Sequence, residues 1–211
     1  SLPRSKELSE LLFAKDKGEE YSKEKFDEVL SLNVDQIVKR QLEVGIDFIS
    51  DGEMSKISYA TYIKDRIDGF SGESERRAPA DLDDFPEYKE KIAKSGGTPT
   101  YSRPCCTYEL KIKDEISLLN DISNFNTSLK KFNHTKAFMN SASPGVINVF
   151  MPNKFYNSDD DYLNELSSIM ATEYEKITTA NIQVQLDCPD LALARHMNFK
   201  DLTEDEFLKR A

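Results

Sequence analysis

The feature that most constrains the fold is an alternation of short apolar runs with longer amphipathic segments. Runs typical of strands lie at 46–49, 105–112, 137–139 and 182–186, and apolar residues at helical spacing fill the segments between them. No Asn-Gly or Asp-Gly turn joins two neighbouring runs into a hairpin. Alternation of this kind predicts an α/β fold with a parallel sheet.

Polar residues follow these runs at the point where each predicted strand ends. Asp51 and Glu53 follow the first run, Ser141 the third and Asp187 the last. In a β/α barrel the carboxyl ends of the strands converge on one mouth, where active sites lie. Counting a further strand at or before Ser1, we predict a fold of the (β/α)8 TIM-barrel type, present as an incomplete barrel with about four to five parallel strands.

The chain is predicted to form one partial barrel domain over residues 1–211. A long helix is expected over about 22–44 and another over 57–70. Residues 71–100 collect Gly, Ser, Pro and charged residues, which predicts a long lid-like excursion within the domain. A solvated surface decoration remains an alternative interpretation of the same composition.

Composition limits the partners of the chain. The formal charge of −10 argues against a nucleic-acid backbone or an anionic membrane as the main partner, and the apolar fraction of 38% indicates a largely solvated surface. No run approaches the roughly 18 apolar residues of a membrane span. Three cysteines, two of them adjacent, make a disulfide framework unfavourable, so a reducing cytoplasm is the expected location.

The segment around the first predicted strand carries the clearest chemical signal. Gly45 can end the long helix, and Ile46, Phe48 and Ile49 form a compact apolar run suited to a strand that is covered on both faces. The acidic triplet 51–53 then places two carboxylates at the carboxyl end of that strand, where α/β folds bind ligands. Such a triplet is also ordinary loop composition.

Several segments occur together in a recognisable order. They are 1–4 (SLPR), 41–53 (QLEVGIDFISDGE), 142–145 (ASPG), 173–174 (EY) and 185–192 (QLDCPDLA). This set resembles the cobalamin-independent methionine synthase family, most closely its short single-domain members, over almost the whole chain. The resemblance implies the amino-terminal part of a zinc-containing catalytic β/α barrel that transfers a methyl group to the thiol of homocysteine.

The resemblance also implies a substrate-binding set. Glu53 and Asp187 match the family residues that hold the amino group of homocysteine, and Ser1 matches a serine near its carboxylate. Two carboxylates that converge on one mouth suit an ammonium group, in agreement with this role. Cys188 stands where the larger members carry a glutamate, which leaves one polar contact open. No catalytic residue is assigned within the chain.

The zinc ligands of the family are not found. The family holds its metal with a His-x-Cys pair, a glutamate and a second cysteine, whereas His134 and His196 lack a cysteine two residues later. Cys105 and Cys106 are better explained as small buried residues in or beside a strand. Zinc is therefore expected for the full-length family fold, with its ligands absent from this chain. The absence of tryptophan removes the residue on which the long enzymes stack a pterin, so the methyl donor stays open.

Two functions remain in competition. In the first, the chain is a fragment of a zinc-dependent methyltransferase-like protein, supplies the site for a homocysteine-like thiol amino acid and has no methyl-transfer activity alone. In the second, it is a non-catalytic amino-acid-binding protein or a partial barrel that another chain completes. Unpaired strand edges favour association, either with a second copy or with a carboxyl-terminal part.

Overall fold

A computed structural model describes residues 1–74, 80–94 and 101–210. Its helices are α1 (Lys6–Lys17), α2 (Lys23–Glu43), α3 (Pro86–Lys94), α4 (Ile116–Lys131), α5 (Pro144–Phe150), α6 (Asp159–Thr179), α7 (Asp190–Met197) and α8 (Glu204–Arg210). Its strands are β1 (Ile49–Ser50), β2 (Ile67–Ser71), β3 (Cys105–Ile112), β4 (Ala137–Ala142) and β5 (Gln183–Asp187). Two 3₁₀ helices lie at Thr61–Asp65 and Ala80–Asp84.

The two longest helices begin at serine caps. The hydroxyl of Ser22 accepts the backbone N–H of Lys25 at the start of α2, and that of Ser158 accepts the N–H of Asp161 at the start of α6. Acidic residues fill the first turn of α6, where their negative charges interact favourably with the positive end of the helix dipole. The long helix predicted over 22–44 is confirmed, because its apolar stripe packs into the core as the spacing required.

Strands β1, β4 and β5 form a parallel sheet in the order β1-β4-β5. Ser50 pairs with Phe138, and Ala142 pairs with Asp187, so the carboxyl ends of the three strands lie along one edge, called the mouth below. The described residues thus give three parallel strands, fewer than the four to five that we predicted, and no closed barrel. Within those residues β1 and β5 are the edges of the sheet.

The other two strands correct the predicted topology. β3 occupies the predicted 105–112, but it pairs antiparallel with β2 in a separate two-stranded sheet. The helix predicted over 57–70 is wrong, because this segment forms a 3₁₀ helix followed by β2. Gly69 has a φ of +113° at an irregularity in the pairing, a conformation that glycine adopts easily and that breaks a helix. Tyr62, Ile63 and Ile67 in this segment are buried.

The first parallel strand is shorter and more exposed than the prediction. Ile49 is fully buried, whereas Ile46 and Phe48 are 44% and 46% exposed. The chain leaves α2 through Gly45 at a φ of +81° and pairs with β4 only from Ile49 onward. The run before Ile49 thus precedes the paired part of the strand, and its exposed side chains show that it is not covered on both faces.

The predicted excursion at 71–100 connects β2 to β3. Its described parts are the second 3₁₀ helix and α3. Residues 75–79 and 95–100, which include the Arg76–Arg77 pair, lie outside the described residues. A lid role for this segment stays a prediction.

Two apolar clusters hold these elements together. One packs α1, α2 and α4 against β1 and β4, and the other packs α5 and α6 against β2 and β3. No helix in the described part of the chain is long and apolar enough to cross a bilayer. The segment from Glu53 to Thr61 runs from the end of β1 at the mouth into the second cluster. The mouth therefore lies where the elements of the two clusters meet.

Candidate functional site

A tight turn places Glu53 at the mouth. Gly52 and Glu53 both have positive φ values, 69° and 57°. The hydroxyl of Ser50 accepts the N–H of Gly52 at 3.2 Å, and a carboxylate oxygen of Asp51 accepts the N–H of Glu53 at 3.1 Å. A Cβ at Gly52 would lie 2.6 Å from the terminal methyl of Met54 and 3.2 Å from the Cβ of Leu2, so crowding adds to the positive φ in favouring glycine at this position. The backbone therefore directs the Glu53 side chain away from the path of the strand.

One carboxylate oxygen of Glu53 is occupied and the other is not. Its Oε2 accepts the hydroxyl of Ser1 at 3.1 Å. Its Oε1 is buried and has no hydrogen-bond partner. Burial acts to raise the pKa of Glu53, but the nearby Lys56 ammonium and the hydrogen bond from the Ser1 hydroxyl act to lower it, and the pKa lies below its usual value. Glu53 is thus an ionised carboxylate with one oxygen left for a donor.

Asp187 ends β5 beside the end of β4. Both of its carboxylate oxygens accept the side-chain amide of Asn140, at 3.4 and 3.3 Å. Its backbone carbonyl accepts the N–H of Ser143, at the first turn of α5. The side chain of Asp187 is partly exposed, so its contacts leave room for a further donor.

Lys56 and Tyr59 interact electrostatically with the carboxylates at the mouth. The Lys56 ammonium is buried, donates to the backbone carbonyl of Asn140 and lowers the pKa of Glu53. The Tyr59 hydroxyl has a raised pKa, chiefly through burial, and the charges of Asp187 and Glu53 both act on it in the same direction. The structure therefore brings the predicted set of Ser1, Glu53 and Asp187 around one mouth.

A buried ionic network lies beneath the mouth. Glu173 accepts hydrogen bonds from the hydroxyls of Tyr62 and Ser141, at 2.5 and 2.7 Å, and pairs with Arg66 at 2.7 Å. The other end of the Arg66 guanidinium pairs with Asp121 at 2.5 Å. Burial would raise the pKa of Glu173, but Arg66 and other cationic neighbours lower it to about 2. The network is satisfied within the protein, so it supports the mouth and does not offer a ligand site.

Asp51 is a buried carboxylate whose ionised form is disfavoured by burial. It is 4% exposed, and burial raises its pKa to about 6 despite the nearby Lys56. Its side chain accepts the N–H of Glu53 and so shapes the turn.

The likeness to known proteins is one of fold. No protein-family model and no curated protein matches the sequence. Among solved structures, the B12-independent methionine synthase from Shewanella sp. W3-18-1 in complex with selenomethionine matches with a TM-score of 0.62 and 16% identity. The match covers 81% of this chain and 45% of that protein, so this chain spans less than half of it. At this identity the match supports an α/β fold alone, and the activity has to be argued from the site.

The zinc implied by the resemblance does not fit the described residues. No group of three or more His, Cys, Asp or Glu residues in the described ranges is placed to hold a metal ion. His134 bonds to the carbonyls of Asp47 and Lys136 before β1 and β4, at the end of the sheet opposite the mouth. Cys106 is buried, and burial raises its pKa to about 11, which keeps the thiol protonated. We therefore assign no metal ligand in this chain.

Sequence reasoning missed the groups that organise the two carboxylates. Lys56, Tyr59 and Asn140 were not selected as site residues, although Lys56 follows Glu53 by three residues and Asn140 directly follows the predicted strand at 137–139. A lysine and an asparagine carry no signal of their own in sequence. Only the pairing of β4 with β5 shows that Asn140 reaches Asp187.

Proposed function

We propose that the mouth binds the amino group of a small thiol amino acid of the homocysteine type between Glu53 and Asp187. The observation that carries the proposal is the unpartnered Oε1 of Glu53, an ionised acceptor whose other oxygen accepts the Ser1 hydroxyl. A ligand ammonium has three donors, enough to bond Oε1 and a carboxylate oxygen of Asp187 together. Charge-assisted bonds of this kind are strong and select for a cation.

The proposed role of Ser1 is to lie beside the amino-acid end of the ligand. Its hydroxyl donates to Glu53, and the adjacent backbone N–H of Leu2 donates to the carbonyl of Gly52 at 3.1 Å. The segment that begins with Ser1 is therefore fastened to the turn that presents Glu53. A change in the bound ligand would act on both together.

The wider function that we propose is that of a methyltransferase-like protein, with this chain supplying the amino-acid site. Zinc supplies thiolate formation in the family, and the residues described here do not provide a set that fits it. A free thiol has a pKa of about 8.5, and two nearby carboxylates raise it further. The 211-residue chain alone is therefore expected to form no methionine from homocysteine above the uncatalysed rate. The methyl donor stays open.

A second candidate is a partial barrel that binds an amino acid without chemistry and is completed by another chain. It is favoured by the two edges of the parallel sheet, since β1 and β5 each pair with β4 alone in the described residues. Sedimentation at increasing protein concentration distinguishes the cases: a self-associating chain sediments as a larger species, and a monomer removes a second copy as the completing partner.

Isothermal titration calorimetry tests the amino-acid site. L-methionine and L-homocysteine should bind, and 4-(methylthio)butanoate, which lacks the amino group, should not. Glu53→Gln and Asp187→Asn should each weaken binding by at least about tenfold, the cost of a lost charge-assisted bond. Glu175→Gln is the matched control, because Glu175 is an exposed carboxylate on α6.

Equal binding of the ligand without an amino group would refute the proposed site. Equal weakening by Glu175→Gln would show a general effect of charge. Full activity of the isolated chain after chelation of metal would refute the expected absence of catalysis and leave the amino-acid site standing.

A further inference from the structure

One cavity near the mouth is lined by positive charges, although the chain as a whole is negatively charged. Its volume is about 410 Å³, and Val149, Phe150, Pro152 and Met197 give it apolar walls. The charged side chains that line it are both cations, Arg103 and Lys154. The whole sequence has 38 acidic and 28 basic residues, whereas the described lining of this cavity has two cations and no carboxylate, so its charge is opposite in sign to the net charge of the chain.

The Arg103 guanidinium has an N–H donor without a hydrogen-bond partner. One nitrogen donates to the hydroxyl of Tyr101 at 3.3 Å, and the group lies over the Phe150 ring at 4.6 Å. Its Nε is buried without a hydrogen-bond partner. The nearby Glu73 carboxylate accepts the backbone N–H of Arg103, and within the described ranges no carboxylate forms a salt bridge with its guanidinium. A guanidinium N–H without a protein acceptor favours an oxyanion as its partner.

Lys154 adds a second positive charge to the lining of the cavity. It follows Pro152 and Asn153, and its backbone N–H donates to the carbonyl of Cys106, which fixes this segment against β3. Its ammonium has no salt bridge within the described part of the chain and is exposed toward solvent. A planar guanidinium and a mobile ammonium around one cavity are the pair that proteins use for carboxylate and phosphate groups.

We propose that this cavity binds a small organic ligand through an oxyanion, a carboxylate or a phosphate, with the apolar body of the ligand against Phe150. The volume falls within the range of small-molecule sites, about 300–1,000 Å³. The Phe150 ring lies 5.5 Å from the ring of Tyr59, and the charges of Glu53 and Asp187 act to raise the pKa of Tyr59. The cavity therefore adjoins the amino-acid site. Its binding of an anion does not depend on the function proposed for that site.

Calorimetry on the full chain tests the inference with three simple probes: benzoate, phenyl phosphate and the neutral benzamide. We expect saturable binding of at least one anion and none of benzamide. Arg103→Met and Lys154→Gln should each weaken anion binding, Arg103→Met by at least about tenfold. Lys130→Gln, which removes an exposed charge from α4, is the control and should change nothing. The relative affinities of benzoate and phenyl phosphate identify which oxyanion the cavity prefers.

Three results would overturn the inference: no binding of either anion, binding of benzamide as tight as that of benzoate, or equal weakening by Lys130→Gln. Far-ultraviolet circular dichroism confirms that each variant is folded. If Arg103→Met does not fold, Arg103→Lys keeps the charge and loses the planar fork, so it should still weaken binding. Unchanged binding in both Arg103→Lys and Lys154→Gln would then count against the site.

Discussion

Replacing Glu173 by glutamine should destabilise the protein in a way that depends on pH. Glu173 is 6% exposed and accepts bonds from Tyr62, Ser141 and Arg66. Its pKa of about 2 lies below the ordinary value of 4.5, a difference that corresponds to about 3 kcal/mol of stability. Removal of one partner from a buried ion pair costs a similar amount, about 3–5 kcal/mol. We expect Glu173→Gln to lower the free energy of unfolding by about 3 kcal/mol at neutral pH.

The sign of the pH dependence follows from the lowered pKa. A carboxylate whose pKa is lower in the folded chain contributes its full stability above the unfolded value of 4.5 and loses it as the pH falls toward 2. The gap between wild type and Glu173→Gln should therefore narrow from about 3 kcal/mol at neutral pH to about 1 kcal/mol near pH 3.

Urea unfolding followed by circular dichroism measures this gap, since the chain has no tryptophan. Glu175→Gln lies two residues further along the same helix at an exposed position and should stay within about 0.5 kcal/mol of wild type. A loss below about 1 kcal/mol in Glu173→Gln, or a gap that does not change between pH 7 and pH 3, would refute the electrostatic account of the network.

Three further outcomes follow from the site. Asp51→Asn should stabilise the protein by about 2–3 kcal/mol at pH 7 and by little below pH 4. Burial raises the pKa of Asp51 from 3.8 to about 6, so an ionised Asp51 disfavours the folded state. Urea titrations at both pH values check this. Gly52→Ala should cost at least about 1 kcal/mol more than Gly45→Ala in thermal unfolding, since both have positive φ but only Gly52 is crowded; equal costs would contradict this. A thiol reagent should modify Cys188 in the native protein well before Cys106, whose pKa of about 11 and burial protect it; mass spectrometry of peptides reports the order.

The sequence predicted best where local patterns decide the structure. The apolar stripe and serine cap of α2, and the capped start of α6, follow from helical spacing and hydrogen-bonding chemistry within a few residues. The position of Asp187 at the carboxyl end of β5 likewise follows from one apolar run. These features need no knowledge of distant contacts.

Long-range pairing decided the rest. Residues 67–71 have a spacing that suits a helix, but their pairing with β3 overrides that local preference. The salt bridge of Arg66 to Glu173 joins residues 107 positions apart, and no sequence pattern marks either member. Lys56 was missed for the same reason, because its importance arises from burial beside Tyr62 and Glu53 and not from its neighbours in sequence.

A crystal structure of the chain with L-methionine bound tests the central claim most directly. The account predicts the amino nitrogen of the ligand within hydrogen-bond distance, about 3.2 Å or less, of carboxylate oxygens of both Glu53 and Asp187. It also predicts that the ligand contacts Oε1 of Glu53, the atom that has no partner in the free protein. A ligand bound elsewhere, or bound at the mouth with its amino group directed away from both carboxylates, would contradict the account.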